Sequence, residues 1–295
     1  MYVLAHLSDP HLGPLPRPRA RDLAGKRVLG FYNWHRSRKN IHRAEALAAI
    51  VADLRAHKPD HIALTGDLTN LSLPAEFEAA RAWLDAFGSP DEITVVPGNH
   101  DYYVQRGEHG PHTLWSDFMR GDDGGTFPFL RRRGPLAIIG LSSAVATAPF
   151  MATGLLGRPQ LEKCALLLAR LASEDVFRVV LIHHPPVRTP GDRFKRLIDT
   201  EGFRSMVRAH GADLVLHGHD HVHSVSYIEG PAGARIPVAG VPSASSTGGH
   251  GDPAAYNLFR IEKDGPAWRC EATTRGFRRT GSEIVPIATR NLTGH

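Results

Sequence analysis

Residues that can bind a metal ion or exchange a proton stand together at Gly98-Asn99-His100-Asp101, directly after the apolar run 93–96 and a turn-forming proline. The side-chain oxygen of Asn99 is a hard neutral ligand, and the imidazole of His100 can coordinate, donate or accept a proton. Gly98 lets the backbone approach an ion or a phosphate closely. Alone, the tetrapeptide is a weak indication of a site, because Asn-His pairs at strand ends are more often turns with a solvated histidine.

The same kind of ending follows four other apolar runs of the sequence. Carboxylates or imidazoles stand after each run, in the segments Asp9-Pro10-His11, Gly66-Asp67, His183-His184 and His217-Gly218-His219-Asp220-His221. In open α/β sheets, ligands bind at the carboxyl ends of the strands. If the five runs are strands of one sheet, their polar ends converge, and the repetition predicts a functional site at that edge.

Helical segments between these apolar runs would pack on the strands and so position their polar ends. The residue patterns of 41–57, 75–87, 159–173 and 201–210 predict four helices. Alternation of strands and helices predicts a parallel sheet with right-handed crossovers. From about residue 224, short β-like runs separated by glycine and proline predict antiparallel hairpins. We therefore expect one α/β domain over residues 1–295.

The composition limits the class of protein further. With 295 residues, 42% of them hydrophobic, the chain can bury one large core. Its two cysteines, Cys164 and Cys270, are too few for a disulfide framework and suit a reducing compartment. No secretory signal precedes the first strand, and glycine and proline interrupt the uncharged stretch 134–157. We expect a cytoplasmic protein without a transmembrane segment; its oligomeric state is not indicated.

A basic and aromatic insertion over about residues 14–40 separates the first strand from the first helix. Between residues 17 and 43 nine Lys/Arg face one Asp, a net charge of +8, whereas the other 26 basic and 29 acidic residues give −3. This local basicity does not favour nucleic-acid binding by the whole protein. The aromatic residues favour packing over the domain. The basic residues Arg36, Arg38 and Lys39 would either touch an anionic substrate or lie in the solvated surface, and a patch that rests on anionic lipid or nucleic acid stays open.

The donor set at the five strand ends predicts a metal centre with two ions. It combines carboxylates, an amide and imidazoles without any thiolate, which suits Mn, Fe or Zn. Seven ligands are too many for one catalytic ion with an open position, but they suit two ions that share a carboxylate. In Asp9-x-His11 and His219-x-His221 one intervening residue turns both side chains to the same side of an extended segment. The predicted ligands are Asp9, His11, Asp67, Asn99, His183, His219 and His221.

Taken in order, these motifs resemble those of the calcineurin-like metallophosphoesterase family over about residues 3–223, and within it the class III cyclic-nucleotide and glycerophosphodiester phosphodiesterase branch. The resemblance implies a sandwich of two mixed β-sheets flanked by helices, a four-layer αββα fold. It assigns one ion to Asp9, His11, Asp67 and His221, and the other to Asp67, Asn99, His183 and His219, with Asp67 bridging. His100 would stabilise or protonate the leaving oxygen without binding metal.

Spacing alone leaves either His183 or His184 as the ligand; the resemblance favours His183, so that His184 would pack or touch substrate. Asn70, at the end of Gly66-Asp67-x-x-Asn70, is a further predicted substrate-binding residue. Protein phosphatases of the family carry an aspartate and an arginine straight after the bridging motif, whereas this chain has Leu68-Thr69-Asn70-Leu71. That departure favours a small-molecule or nucleotide phosphodiester substrate.

The resulting prediction is a metal-dependent phosphoric ester hydrolase, a phosphodiesterase in which a metal-activated hydroxide attacks phosphorus in line. Two alternative enzymes remain: a nuclease, and a lipid-precursor pyrophosphohydrolase that docks through the basic insertion. A non-catalytic scaffold of the same fold is a third alternative, but such relatives usually have eroded ligands, and every ligand position here is intact.

Overall fold

The computed structural model describes residues 1–23, 25–104, 110–187, 193–249 and 251–293 of the chain. It contains twelve strands: β1 (Tyr2–Leu7), β2 (His61–Leu64), β3 (Ile93–Val95), β4 (Phe129–Arg133), β5 (Leu136–Gly140), β6 (Phe177–Leu181), β7 (Leu214–His217), β8 (Ser224–Glu229), β9 (Arg235–Gly240), β10 (Ala255–Asp264), β11 (Ala267–Phe277) and β12 (Ile284–Asn291). The α-helices are α1 (Lys26–Asn33), α2 (Lys39–Ile41), α3 (Ala44–Ala56), α4 (Pro74–Phe87), α5 (Pro111–Leu114), α6 (Arg158–Leu171) and α7 (Thr200–His210).

The strands form two mixed sheets of six strands each. The first has the order β12-β11-β10-β1-β2-β3 and the second the order β4-β5-β6-β7-β9-β8. In the first sheet β1, β2 and β3 are parallel, and β10 pairs antiparallel with β1. In the second sheet β5, β6, β7 and β9 are parallel, with antiparallel β4 and β8 at the edges. The predicted sandwich of two mixed sheets is confirmed, whereas the expectation of one parallel sheet is wrong.

Two apolar cores hold four layers together. The larger core joins residues of both sheets with the buried side of α3, where Leu47, Ile50 and Leu54 recur at helical spacing. The smaller core lies between the second sheet and the helices α6 and α7, and it includes Leu168 and Phe203. The layers therefore run helix, sheet, sheet, helix, as the family resemblance implied.

The late β-like runs do form antiparallel pairs, but they are not a separate unit. β8 pairs with β9, and β10 pairs with β11 and β11 with β12. Because β9 also pairs with β7 and β10 with β1, these strands complete the two sheets. Strand β4 was not predicted, since three of its five residues are arginines; Arg131 is buried there because its guanidinium donates to backbone carbonyls, including those of Pro90 and Ile93.

The predicted helix 41–57 is interrupted at its start. His42 has extended backbone angles (φ −92°, ψ 111°), so α2 ends at Ile41 and α3 begins at Ala44. The insertion is also more regular than expected, because α1 and a π-helical turn over Trp34–Arg38 follow its proline-rich start. The stretch 134–157 contains β5 and then a loop, and no helix of the described residues is long and apolar enough to cross a membrane.

Candidate metal centre

The predicted ligands converge at the carboxyl ends of five strands, three in the first sheet and two in the second. Asp9, Asp67 and Asn99 follow β1, β2 and β3, and His183 and His219 follow β6 and β7. The five runs thus meet because two sheets pack against each other with these strand ends at the same end, rather than because they share one sheet.

One group of donors surrounds the carboxylates of Asp9 and Asp67. His221 Nε2 lies 3.0 Å from Asp9 Oδ1. His11 Nε2 lies 3.9 Å from Asp9 Oδ1 and 3.9 Å from Asp67 Oδ2. These are the four residues that the resemblance assigned to the first ion.

A second group surrounds Nε2 of His183. This nitrogen lies 3.2 Å from Asn99 Oδ1, 3.3 Å from His219 Nδ1 and 3.4 Å from Asp67 Oδ2. The same carboxylate oxygen of Asp67 therefore stands between His11 and His183. This is the arrangement expected of a residue shared by two ions.

The hydrogen bonds of the histidines leave the correct nitrogens free for metal. His183 Nδ1 lies 2.6 Å from the Thr65 carbonyl and His11 Nδ1 lies 3.1 Å from the Thr69 carbonyl, so each ring donates its Nδ1 proton outward. His11 Nε2, fully buried, has no hydrogen-bond partner. A buried unpaired nitrogen is costly, and a metal ion would satisfy it; a carbonyl behind the ring is the usual second partner of a metal-binding histidine. The residues fit a metal centre.

The electrostatics of the group also favour a bound cation. Burial lowers the pKa of His183, but the charges of Asp67 and then Asp9 raise it more, to about 10. Burial raises the pKa of Asp9, but His221 and His183 hold it well below its usual range. The buried carboxylates thus favour a positive charge among them, which a metal cation would supply.

The backbone around the ligands is left-handed rather than extended. The φ angles of Asp9, His11, Asp67, His219 and His221 are 52°, 39°, 55°, 71° and 55°. The expectation that one intervening residue in an extended segment turns two side chains to one side is therefore wrong. Each such angle costs about 1–2 kcal/mol. The surrounding hydrogen bonds hold it, such as those from Asp9 N to the Gly66 carbonyl and from His219 N to Asp9 Oδ2.

Two glycines of the motifs are required by close packing. A Cβ atom at Gly98 would lie 2.1 Å from Asp67 Oδ1, and one at Gly218 would lie 1.9 Å from Ser8 Oγ and 2.4 Å from Asp9 Oδ2. Any side chain at these positions would displace a predicted metal ligand. Glycine is thus required at positions 98 and 218 because no side chain fits there, and not only because glycine is flexible.

His183 and His184 point in different directions. Nδ1 of His184 lies 2.8 Å from Ser143 Oγ, and its Nε2 lies 3.1 Å from the Ala152 carbonyl. Both of its nitrogens therefore have protein partners, whereas His183 directs Nε2 at Asp67 and Asn99. The geometry favours His183 as the ligand and the packing alternative for His184.

Asn70 contributes its backbone rather than its side chain. It is fully buried, and its side-chain amide donates to the Leu12 carbonyl. Its own carbonyl accepts the Nδ1 proton of His100 at 2.6 Å. The substrate contact of Asn70 stays a prediction, and its backbone carbonyl orients His100.

His100 lines the cleft in front of the ligands without binding them. Its ring stacks on Tyr103, with centroids 5.4 Å apart and planes 13° apart, and its backbone N–H donates to Asp67 Oδ1 at 2.7 Å. Burial, together with the charge of Arg38, lowers the pKa of His100 to about 3. Because Nδ1 donates to Asn70, Nε2 is the nitrogen left for a ligand.

Asp101 and His42 were not predicted as site residues, and for Arg38 the sequence left substrate contact and solvated surface open. The buried carboxylate of Asp101 accepts hydrogen bonds from the backbone N–H groups of Asp67, Thr69 and Gly98. Burial and then the charge of Asp67 raise its pKa to about 7. Arg38 and His42 line the cleft. Asp101 is part of the motif Gly98-Asn99-His100-Asp101, so the sequence did indicate its position at the site. His42 falls within the predicted helix 41–57, and that pattern gave no reason to assign it to the site.

His42 is the less expected of these residues. One ring nitrogen each of His42, His11 and His221 lies within 4.8 Å of the other two, and Nδ1 of His42 lies 2.9 Å from Ser245 Oγ. Its ring packs on that of His11, with centroids 4.4 Å apart. The break between α2 and α3 is what places it there.

A two-sheet sandwich with this cluster of carboxylate, amide and imidazole donors at the strand ends defines a metallophosphoesterase-type protein. The chain belongs to the calcineurin-like phosphoesterase family, whose model matches residues 2–223. Family membership supports the hydrolysis of phosphoesters with divalent metal ions, and the His/Asp groups described above are its candidate ligands.

The chain is also similar to individual known proteins. A probable cyclic nucleotide phosphodiesterase from Synechococcus sp. is 26% identical over 228 residues, which are 76% of this chain and 80% of the relative. The structure of a dimetal phosphatase from Danio rerio matches 97% of this chain and 98% of its own with a TM-score of 0.63 at 14% identity. Purple acid phosphatase PPD1 from yellow lupin matches 93% of this chain and 51% of its own, with a TM-score of 0.62 at 12% identity. The two structures show the fold alone.

Proposed function

We propose that this protein is a dinuclear-metal-dependent phosphodiesterase that acts on a small-molecule or nucleotide phosphodiester. The observation that carries the proposal is the position of Asp67, whose Oδ2 lies 3.9 Å from His11 Nε2 and 3.4 Å from His183 Nε2. Two ions bound on either side of this carboxylate would supply Lewis-acid activation of water and of the phosphoryl oxygens.

The protein side chains have separate tasks in this proposal. The carbonyls of Thr65 and Thr69 hold His183 and His11 in the tautomer that leaves Nε2 as a ligand. Asp101 holds the backbone of Asp67 and Gly98 in place. These groups preorganise the donor set, so that little rearrangement is needed when a substrate binds.

His100 is proposed to act on the leaving oxygen through Nε2. The pKa of His100, about 3, leaves this nitrogen unprotonated at neutral pH, since the ring proton is on Nδ1. An anionic phosphoryl group beside the ring would favour a second proton, which Nε2 could then donate to the leaving alkoxide. Arg38 opposes this protonation electrostatically until an anion neutralises its charge.

The cleft supports a small substrate. Its volume is about 470 Å³, within the range of about 300–1,000 Å³ that is usual for small-molecule sites. The lining combines four of the seven predicted ligands with Arg38, His42, Lys195 and Asp220. A diester rather than a phosphoprotein is supported by Leu68-Thr69-Asn70-Leu71 after the bridging residue, and by the similarity to a probable cyclic nucleotide phosphodiesterase.

The test is a substrate panel on purified protein reconstituted separately with Mn, Fe and Zn. The panel contains bis(p-nitrophenyl) phosphate, p-nitrophenyl phosphate, cyclic AMP, glycerophosphocholine and single-stranded DNA, and Asp67→Ala serves as the inactive control. We expect diesters to be hydrolysed with a higher kcat/KM than the monoester. Protein that holds two ions but hydrolyses only the monoester, or nothing, would refute the proposal; preference for DNA would indicate a nuclease.

A further inference from the structure

The basic insertion is anchored to the loop that follows the bridging residue Asp67. Arg27 in α1 donates to the carbonyls of Leu71 and Ser72. Lys26 donates to Thr147 Oγ1 at 2.8 Å and to the Met151 carbonyl at 2.9 Å. The insertion is therefore a fixed wall of the site rather than a free loop.

Close packing at one glycine holds α1 in this place. A Cβ atom at Gly30 would lie 2.4 Å from Leu71 Cδ2 and 2.7 Å from the Tyr103 hydroxyl. Trp34, at the start of the π-helical turn, is buried. The turn then ends with Arg38 in the wall of the cleft, together with His42, Asp67 and His100.

Among the described residues, the guanidinium of Arg38 pairs with no carboxylate. Its Nη1 lies 3.2 Å from His100 Nδ1, but that nitrogen donates its proton to the Asn70 carbonyl at 2.6 Å and so cannot accept one from Arg38. Within the described ranges no carboxylate lies within ion-pair distance of Arg38, in contrast to Arg178 with Asp213 and Arg275 with Asp53. A partly buried guanidinium without an anion is unfavourable, which indicates that the cleft binds one.

The neighbouring basic residues differ from Arg38. Arg36 and Lys39 are exposed, and neither belongs to the cleft lining. Of the three basic residues at this end of the insertion, the structure thus places only Arg38 next to His100.

We propose that Arg38 binds a non-bridging phosphoryl oxygen of the substrate beside His100. The inference rests on the proposed function, since it names a further contact of the same site. A planar guanidinium offers paired N–H donors to a phosphoryl group, which an ammonium does not.

The first experiment compares Arg38→Gln and Arg38→Lys with the matched control Arg36→Gln in the Mn-reconstituted protein. It measures kcat/KM for bis(p-nitrophenyl) phosphate and the inhibition constant of inorganic phosphate. We expect Arg38→Gln to lower kcat/KM and to raise the inhibition constant, each by about 10- to 100-fold. Arg38→Lys should recover part of the loss, and Arg36→Gln should match the wild type. Unchanged phosphate inhibition in Arg38→Gln would overturn the proposal even if turnover falls, because Arg38 would then only position His100.

The second experiment uses the wild-type protein, so that it does not depend on the folding of a variant. Phenylglyoxal modifies accessible arginines, and mass spectrometry of the peptides reports Arg38 and Arg36 separately. Inorganic phosphate should protect Arg38 and leave Arg36 unprotected. Protection of Arg38 in a protein that hydrolyses no phosphodiester would support this inference and refute the proposed function. Hydrolysis of phosphodiesters without protection of Arg38 would support the proposed function and overturn this inference.

Discussion

The carboxylate of Asp101 accepts a 2.8 Å hydrogen bond from the backbone N–H of Asp67. A residue that is not a predicted metal ligand thus holds the residue proposed to bridge the two ions. The same oxygen accepts the N–H of Gly98 at 2.9 Å, and the other oxygen accepts the N–H of Thr69 at 2.9 Å. One side chain thus joins the loops after β2 and β3. The backbone of Asp67 is left-handed, with φ 55°, and this bond pairs its N–H.

Replacement of Asp101 by asparagine should therefore destabilise the protein and weaken metal binding. The amide keeps one acceptor oxygen but turns an NH₂ group toward backbone N–H donors, and loss of hydrogen bonds to a charged group costs about 1.5–3 kcal/mol. Urea unfolding and metal content measure the two effects, with the exposed Asp264→Asn as the control. Wild-type stability and metal content in the variant would contradict the role assigned to Asp101.

The bridging assignment predicts different metal contents for two variants. Asp67→Ala should lose both ions, because each would lose a charged ligand, whereas Asn99→Ala should mainly weaken the second site. Metal analysis after dialysis against a limiting chelator gives ions per chain, and Asp264→Ala again serves as the control. Two ions retained in Asp67→Ala would refute the bridge.

His100 should affect the leaving group more than the metals. His100→Asn should keep metal content near that of the wild type, yet lose about 10²- to 10⁴-fold in kcat toward alkyl diesters, the usual contribution of general acid catalysis. With p-nitrophenyl esters the loss should shrink, because that leaving group needs little protonation. Equal losses on both substrates would point to positioning of the phosphoryl group, and loss of metal would make His100 a ligand.

An ion pair remote from the cleft should make stability depend on pH. Arg275 binds both carboxylate oxygens of Asp53, at 2.8 and 2.9 Å, and the Tyr256 hydroxyl donates to the same carboxylate at 2.6 Å. Burial raises the pKa of Asp53, but these hydrogen bonds lower it more, so the folded-state pKa lies below the ordinary 3.8. The stabilisation is therefore fully present above the unfolded-state pKa and is lost as the pH falls through the folded-state pKa.

Asp53→Asn tests this linkage. At pH 7 the variant should be less stable than the wild type by about 2 kcal/mol, and the difference should shrink as the pH falls below about 4. Urea unfolding at several pH values measures it. A difference that stays constant down to pH 3 would show that the carboxylate charge contributes nothing.

Much of the site could be predicted from the sequence because the signals are local. Apolar runs that end in Asp9, Asp67, Asn99 or His183 identify strands and the polar residue that follows each, and both features depend only on neighbouring residues. The helices α4, α6 and α7 lie within a few residues of the predicted bounds for the same reason. The donor types alone also exclude a thiolate site.

The tertiary structure decided how these local pieces combine. Tyr2 pairs with Ile261, a contact between distant segments that joins β10 to the first sheet, whereas the strands that precede His183 and His219 pair with each other in the second sheet. Likewise, the left-handed angles at His11 and His221 arise from hydrogen bonds and close contacts of loops that are remote in sequence. Arg38 and His42 line the cleft because the insertion packs on the loop 70–72, through the hydrogen bond of Arg27 and the close contact at Gly30. Residue type and spacing determine which chemistry is available, whereas long-range packing decides which side chains reach the same point in space.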